Sequence, residues 1–256
     1  MVDFTEFLMN AQELKPNEVN FKDSNVIYEQ KIDGGRHLFV NGLLYSKRGV
    51  ERSKRYPHIV KELEILRGDN CLVLDGEVWV EGGVLALNSS ANWDKAKFCV
   101  FDILKFNGED MREKPLIERL ELLHNILSNP LLRHIHLPKT YDDFKTAWAD
   151  VEKNDYEGLM VKNLGMKYEA GKRSWAWVKV KRKLCADVEI LGHEEGKNKG
   201  TFLCRTKKGT DIRVSGNSMA TLDYYNKHEP KEMEVNYMYE TADGKYFQPT
   251  FSKFIE

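Results

Sequence analysis

Residues 29–36 read Glu-Gln-Lys-Ile-Asp-Gly-Gly-Arg, and this stretch is the most informative part of the chain. The residues around it, from Val26 to Val40, follow the pattern of a strand, a tight glycine turn and a second strand. A lysine is usually a solvated surface residue, but this turn would hold the amine of Lys31 beside a cleft. The two glycines let the backbone approach a phosphate closely, and Arg36 offers a planar fork of donors to its oxygens. The segment therefore predicts a phosphate site around Lys31.

The amine of Lys31 is also a candidate covalent nucleophile. A lysine amine attacks only after it loses its proton, and neighbouring cations lower its pKa. Arg36, Lys179, Lys181 and a bound metal could supply that environment. The pattern Lys-x-Asp-Gly-x-Arg alone is only moderately specific, because short motifs recur by chance. Its weight depends on what else the chain contains.

Composition sets broad limits on the class of protein. The chain has 256 residues, of which 41% are apolar and 31% are charged, as in an ordinary soluble globular protein. No apolar run is long enough to span a bilayer, and the N-terminus lacks the basic start and apolar stretch of a secretory signal. The sequence therefore predicts a cytoplasmic protein without a membrane partner.

Charge is distributed unevenly along the chain. The net charge is only −1, yet residues 167–213 carry 13 Lys and Arg against six Asp and Glu, a local charge of +7. Charge alone fits a solvated basic face and a nucleic-acid surface equally well. No two of the four cysteines have the spacing of a zinc ribbon or redox pair, and Cys71 and Cys99 lie in apolar runs typical of buried, reduced thiols.

The chain divides into two regions with different predicted secondary structure. Up to about Lys183, helical periodicities alternate with short strand patterns. Helices are predicted at 4–13, 58–67, from Pro115 onward and at 142–153, and strands include 84–87 and 98–104. After Ala186 the pattern changes to short strands, at 187–192, 201–206, 211–215, 232–240 and 246–254. That pattern suits a small all-β barrel of the kind that binds oligonucleotides.

Six segments in order resemble the motif series of the covalent nucleotidyltransferases, the superfamily of ligases and mRNA-capping enzymes. They are Lys31–Arg36, Ser46–Gly49, Leu74–Glu77, Phe98–Leu104, Glu157–Lys162 and Trp177–Lys181. Each residue also has a structural alternative: Phe101 could be a core residue, and Glu77 and Glu157 could be surface acids. If all six structural alternatives were true, the six motifs would have occurred in the family's order by chance, which is improbable.

The resemblance assigns roles to individual residues. It implies that Lys31 is the catalytic nucleophile, that Glu157 and Glu77 bind the metal, and that Phe101 stacks on the base. Glu29 occupies the place from which DNA ligases read the adenine amino group. The full set of implied nucleotide-binding residues is Glu29, Ile32, Arg36, Arg48, Glu77, Phe101, Lys162, Arg173, Lys179 and Lys181.

Within the superfamily, the chain looks like a minimal ATP-dependent DNA ligase. Residues 98–109 and 170–181 are similar to DNA ligases, and only 30 residues precede Lys31, too few for the nicotinamide-binding domain of an NAD-dependent enzyme. The resemblance implies an α+β fold: an ATP-grasp-like nucleotidyltransferase domain with antiparallel sheets and flanking helices over residues 1–183, then an OB-fold barrel over 187–256. It implies ATP and Mg²⁺ as cofactors and nicked double-stranded DNA as partner. A monomer in a bacterial or phage-infected cell is expected.

One departure and two alternatives remain. The family usually ends its OB domain with Arg-x-Asp-Lys, which orients the pyrophosphate, and this sequence lacks it. Lys253 and the basic residues of 197–208 are candidates to replace it. An RNA ligase or capping guanylyltransferase is the first alternative, and a non-catalytic nucleic-acid-binding protein is the second.

Overall fold

The computed structural model describes residues 4, 7–19, 25–196, 199–241 and 243–255, so Lys197 lies outside the described residues. It divides the chain into two compact units, Met1–Lys181 and Arg182–Glu256. The division comes two residues before the predicted boundary at Lys183. Residues 184–186, which lie between the two predicted domains, are the first residues of a long strand.

The first unit contains eleven strands and four α-helices in the parts of the chain described. In order they are β1 (Asn10–Leu14), β2 (Val26–Gln30), β3 (Gly35–Val40), β4 (Leu43–Ser46), α1 (Pro57–Arg67), β5 (Leu72–Trp79), α2 (Gly83–Leu87), β6 (Lys97–Phe106), β7 (Glu109–Asp110), α3 (Leu116–Leu127), β8 (Ile135–His136), β9 (Thr140–Tyr141), α4 (Phe144–Lys153), β10 (Gly158–Asn163) and β11 (Arg173–Lys181). Short 3-10 helices lie at Pro16–Glu18, Ser90–Lys95 and Met111–Glu113.

These strands form two largely antiparallel sheets. One has the order β1-β11-β10-β2-β9, and the other has the order β4-β3-β5-β6-β7 with β8 beside β6. Among the described strands of this unit, β1 with β11 and β6 with β8 pair in parallel, and the other pairs are antiparallel. The mixed α and β composition and the antiparallel sheets confirm the coarse fold prediction for this unit.

Local sequence explains helices α1 and α4, and a tertiary contact holds helix α3. Pro57 starts α1 at a position where its missing N–H costs nothing, and Gly68 ends it with φ 52°. The Asp143 side chain accepts a hydrogen bond from the backbone N–H of Thr146 and caps α4. A buried ion pair between Arg119 of α3 and Asp102 of β6, 2.7 Å from Nε to Oδ1, fixes α3 against the second sheet.

Two predicted elements are wrong. The helix predicted over 4–13 is instead strand β1 over its second half, paired with β11, and residues 5–6 of that prediction lie outside the described residues. The strand predicted at 84–87 is helix α2. Gly82 and Gly83 have positive φ, which turns the chain into the helix, and the Asp33 carboxylate lies against Gly83, the first residue of the helix.

The second unit is a curled antiparallel sheet with one helix. Its elements are β12 (Leu184–Glu195), β13 (Gly200–Thr206), β14 (Asp211–Asn217), α5 (Met219–His228), β15 (Glu232–Tyr237) and β16 (Thr250–Ile255), with strand order β14-β13-β12-β15-β16. Cα atoms of the two edge strands, β14 and β16, approach within 8 Å, so the sheet is partly closed. All five predicted strands are present, whereas α5 was not predicted.

None of the helices in the described ranges has the length and apolar character needed to cross a membrane.

Candidate active site

A cavity of about 320 Å³ lies in the first unit and is lined by residues of both of its sheets. Its walls are Asn10, Ala11, Glu29, Gln30, Lys31, Ile32, Arg36, Lys47, Glu77, Phe101, Pro138, Met160, Lys162, Arg173, Trp177, Lys179 and Lys181. Seven of these side chains are Lys or Arg, so the cavity suits an anionic ligand.

Lys31 projects into this cavity directly after β2. Its Nζ lies 2.5 Å from Oε2 of Glu157, whose Oε1 lies 3.2 Å from Nζ of Lys181. The position is fixed by the backbone, because the N–H of Lys31 donates to the carbonyl of Gly158, 2.9 Å away. A Cβ on Gly158 would lie 2.1 Å from the carbonyl oxygen of Val180, so only glycine fits beside the amine.

A buried ion pair forms the inner wall. Nζ of Lys162 lies 2.6 Å from Oε2 of Glu29, and both side chains are almost fully enclosed, with 1% and 3% of their surfaces exposed. Lys162 also donates to the carbonyl of Phe101 at 2.9 Å and lies 4.6 Å from the centre of the Trp177 ring. Burial raises the pKa of Glu29 above its ordinary value, and Lys162 opposes that shift.

Arg36 is held by a second buried carboxylate. Its Nε donates to Oδ1 of Asp75 at 2.9 Å, its Nη2 donates to Oδ2 at 2.5 Å, and its Nη1 donates to the carbonyl of Met9 at 2.8 Å. Burial alone would lower the pKa of Arg36, but Asp75 raises it above its ordinary value. Its guanidinium also lies 5.6 Å from the ring centres of Phe101 and Trp177. The Arg36 side chain therefore holds the wall of the cavity together.

The basic mouth of the cavity comes from β11 and the turn after β4. Arg173 donates to the carbonyl of Ala11 at 2.5 Å, and Nζ of Lys179 lies 2.9 Å from Oε2 of Glu13. Burial, and then the charges of Arg36 and Arg173, lower the pKa of Lys47. Several cations therefore share one region, as phosphate binding requires.

The comparison with known protein families decides the family. Residues 8–181 match the family model of the ATP-dependent DNA ligase domain, and this match covers more than half of the chain.

The chain belongs to the ATP-dependent DNA ligase domain family.

Individual relatives agree with this assignment. The chain is 28% identical over 260 residues to the SPbeta prophage-derived DNA ligase-like protein LigB of Bacillus subtilis strain 168, covering 90% of this chain and 93% of LigB. It is 28% identical over 227 residues to DNA ligase 1 of Methanosarcina barkeri strain Fusaro, covering 72% of this chain but only 41% of that protein. A solved structure of a Lig E DNA ligase has the same fold, with a TM-score of 0.71, 19% identity and full coverage of both chains. The predicted family and enzyme class are thereby confirmed.

The cavity contains most of the residues that the sequence selected. Lys31 and nine of the ten predicted nucleotide-binding residues line the cavity. Glu157 reaches it through Lys31 and Lys181. Arg48 does not line it, and lies exposed in the turn after β4.

Other wall residues of the cavity were not selected from the sequence. Lys47 and Trp177 lie within two of the six motif segments, so the sequence could have indicated them as site residues. No role was assigned to them. Asn10 and Ala11 gave no signal, because they reach the cavity only through the pairing of β1 with β11.

The predicted metal ligands have the right chemistry but do not form a cluster. Within the described residues, no group of three or more His, Cys, Asp or Glu side chains could hold a metal ion. Burial raises the pKa of Glu77 to about 8, with smaller effects from its charged neighbours, including Glu157. Mg²⁺ commonly takes one or two carboxylates and completes its shell with substrate phosphates and water, so Glu77 and Glu157 fit such a site.

Proposed function

We propose that this chain is an ATP-dependent DNA ligase that seals nicks between a 3′-hydroxyl and a 5′-phosphate in duplex DNA, through an AMP carried covalently on Lys31. The observation that carries the proposal is the amine of Lys31 in a cation-lined cavity, 2.5 Å from a carboxylate. Family membership over residues 8–181 supports the choice of DNA ligation over the RNA ligase and capping alternatives.

In the first step, the lone pair of Nζ of Lys31 attacks the α-phosphorus of ATP. A phosphorus–nitrogen bond forms, the bond from the α-phosphorus to the bridging oxygen breaks, and pyrophosphate leaves with its electrons. The amine must first lose a proton, and Oε2 of Glu157, 2.5 Å away, would accept it. Lys179, Lys181 and Arg173, which line the cavity, would neutralise the phosphate oxygens.

The inner wall supports recognition of adenine. The Glu29 carboxyl is an acceptor for the adenine amino group, and Lys162 fixes its direction. Phe101, only partly buried, offers its ring to the base from the same wall. A guanine would present a carbonyl oxygen to Glu29, so acceptor would face acceptor. This arrangement favours ATP over GTP.

The two carboxylates Glu77 and Glu157 would hold Mg²⁺, which supplies neutralising charge to the phosphate oxygens when bound. The remaining steps use the same chain residues for charge and positioning. A 5′-phosphate oxygen attacks the phosphorus of AMP and breaks its bond to Lys31, whose nitrogen regains a proton. The 3′-hydroxyl then attacks that phosphate, loses its proton, and AMP leaves.

We also propose that the second unit is an OB-fold, which its five-stranded, partly closed antiparallel sheet supports. Arg48, exposed outside the nucleotide cavity, suits a contact to the DNA end. We further propose that the protein is a monomer in the cytoplasm. The four free cysteines are consistent with a reducing compartment.

Incubation with α-labelled ATP and magnesium tests the proposal, because one adenylate should appear on Lys31 by mass spectrometry. Lys31→Ala should abolish AMP capture and the sealing of ordinary nicks, yet join pre-adenylated nicks weakly. Lys61→Ala, on the exposed side of α1, is the matched control and should capture AMP normally. Robust labelling of Lys31→Ala, or none of the wild type, would refute the assignment.

Substrate choice separates the remaining alternatives. ATP with nicked DNA should give sealed product, while GTP should not label the protein. Labelling by GTP would support a capping enzyme, and sealing of nicked RNA in preference to DNA would support an RNA ligase.

A further inference from the structure

Trp175 is a large aromatic side chain of the first unit that is exposed to solvent. It is 62% exposed, against 3% for Trp177 two residues later. No hydrogen bond or ring contact from another described residue engages its indole. Single exposed apolar residues are common on proteins and need no explanation by themselves. The position of Trp175 in its strand is what makes it unusual.

Trp175 stands in the cavity-facing series of β11. Alternate residues of a strand share a face, and Arg173, Trp177, Lys179 and Lys181 all line the nucleotide cavity. Trp175 belongs to the same odd-numbered series but does not line it. The register explains why: opposite one step of β1, from Ala11 to Gln12, β11 advances from Ser174 to Val178. Such an irregularity redirects side chains, and here it leaves the indole in solvent beside the cavity.

The surroundings of Trp175 are basic. Lys172 and Arg173 precede it and are exposed. The acid of this turn, Glu169, accepts a hydrogen bond from the hydroxyl of Ser174, whose side chain is buried. Lys47 lies close enough to Arg173 for their charges to interact. An exposed indole beside cations matches a nucleic-acid strand, whose phosphates take the cations and whose bases stack on aromatic rings.

We infer that the indole of Trp175 is a stacking contact for a base of the nicked DNA, next to the cavity that holds the nucleotide. This inference rests on the proposed ligase function, and it assigns the DNA a point of contact in the first unit. The contact adds affinity without adding charge, and it holds a base near Lys31 while AMP is transferred. Trp175 is a positioning residue and takes no part in the bond changes.

The test measures binding of fluorescently labelled nicked duplex to adenylated protein in EDTA, across a range of salt concentrations. Trp175→Ala should raise Kd by roughly 5- to 150-fold, the range that loss of one stacked base implies, and Trp175→Phe should restore most of the affinity. The slope of log Kd against log salt should stay that of the wild type, because no ionic contact is lost. Lys172→Ala should instead reduce that slope by about one.

Leu131→Ala is the matched control, because Leu131 is 63% exposed and lies outside β11. It should bind like the wild type. A Kd for Trp175→Ala within twofold of the wild type, or no recovery in Trp175→Phe, would overturn the inference. Failure of the ligase proposal is distinct: there the wild type itself captures no AMP and seals no nick, whatever residue stands at 175.

Discussion

At the scale of single residues, the pair of Glu29 and Lys162 combines recognition with stability. Its atoms are 2.6 Å apart and almost fully enclosed, so removing one partner leaves a buried charge unpaired. Glu29→Ala should therefore lower the free energy of unfolding by about 3–5 kcal/mol, measured by denaturant titration. The control is Glu113→Ala, which breaks an exposed pair with Lys167 at 2.9 Å and should cost about 1 kcal/mol or less. Equal losses in the two variants would contradict the prediction.

Glu77 gives the site a pH dependence with a definite sign. Its pKa is about 8 in the folded protein against an ordinary value of 4.5. Between these values the folded protein holds one more proton than the unfolded chain, so its stability falls as pH rises. Glu77→Gln should flatten this decline, measured as the free energy of unfolding from about pH 5 to about pH 8. The exposed Glu81→Gln should keep the wild-type profile, and an unchanged profile in Glu77→Gln would contradict the prediction.

The sequence predicted residues whose chemical type the reaction dictates. Lys31, Glu29 and Phe101 were selected because they stand in segments that resemble the family's motifs, and all three line the cavity. It could not predict that Asp75 holds Arg36 by two hydrogen bonds. The two residues are 39 positions apart, and the contact exists only once β3 pairs with β5.

At the scale of elements, Gly34 sets the spacing between the turn after Lys31 and strand β5. A Cβ on Gly34 would lie 2.3 Å from the carbonyl oxygen of Val78, whereas a Cβ on Gly35 would meet nothing closer than 3.5 Å. Gly34→Ala should therefore destabilise the protein by about 1–3 kcal/mol and slow AMP capture. Gly35→Ala should change both much less. Denaturant titration measures the stability of the two variants, and labelling with ATP measures their rate of AMP capture. Equal stabilities and equal rates in the two variants would contradict the prediction.

The elements differ in how far the sequence could predict them. Helices α1, α3 and α4 have apolar periodicity and end signals of their own, so local pattern was sufficient. Strand β1 was predicted as a helix because its structure depends on pairing with β11, more than 150 residues away. Helix α2 has five residues, too few to show a helical period. The Asp33 carboxylate, from a distant part of the sequence, lies against its first residue, Gly83.

At the scale of the whole molecule, the two units have separate hydrophobic cores. One buried cluster includes Val188, Phe202, Val214 and Met233, all in the unit Arg182–Glu256. The other three clusters contain only residues of Met1–Lys181. Because the burial of apolar surface is the main force in folding, each unit has its own source of stability. The described residues that line the candidate-site cavity all belong to the first unit.

This separation predicts how ligand binding and unfolding are linked. Scanning calorimetry should resolve two transitions, and AMP should raise the midpoint of only the one that belongs to Met1–Lys181. At about 100 times its Kd, a ligand that binds only the folded form adds about 2.7 kcal/mol, while the unit without the cavity gains nothing. Glu29→Ala identifies the first unit's transition independently, because it should lower that midpoint alone. A single transition that AMP shifts as a whole would mean that the two cores unfold cooperatively, and would contradict the prediction.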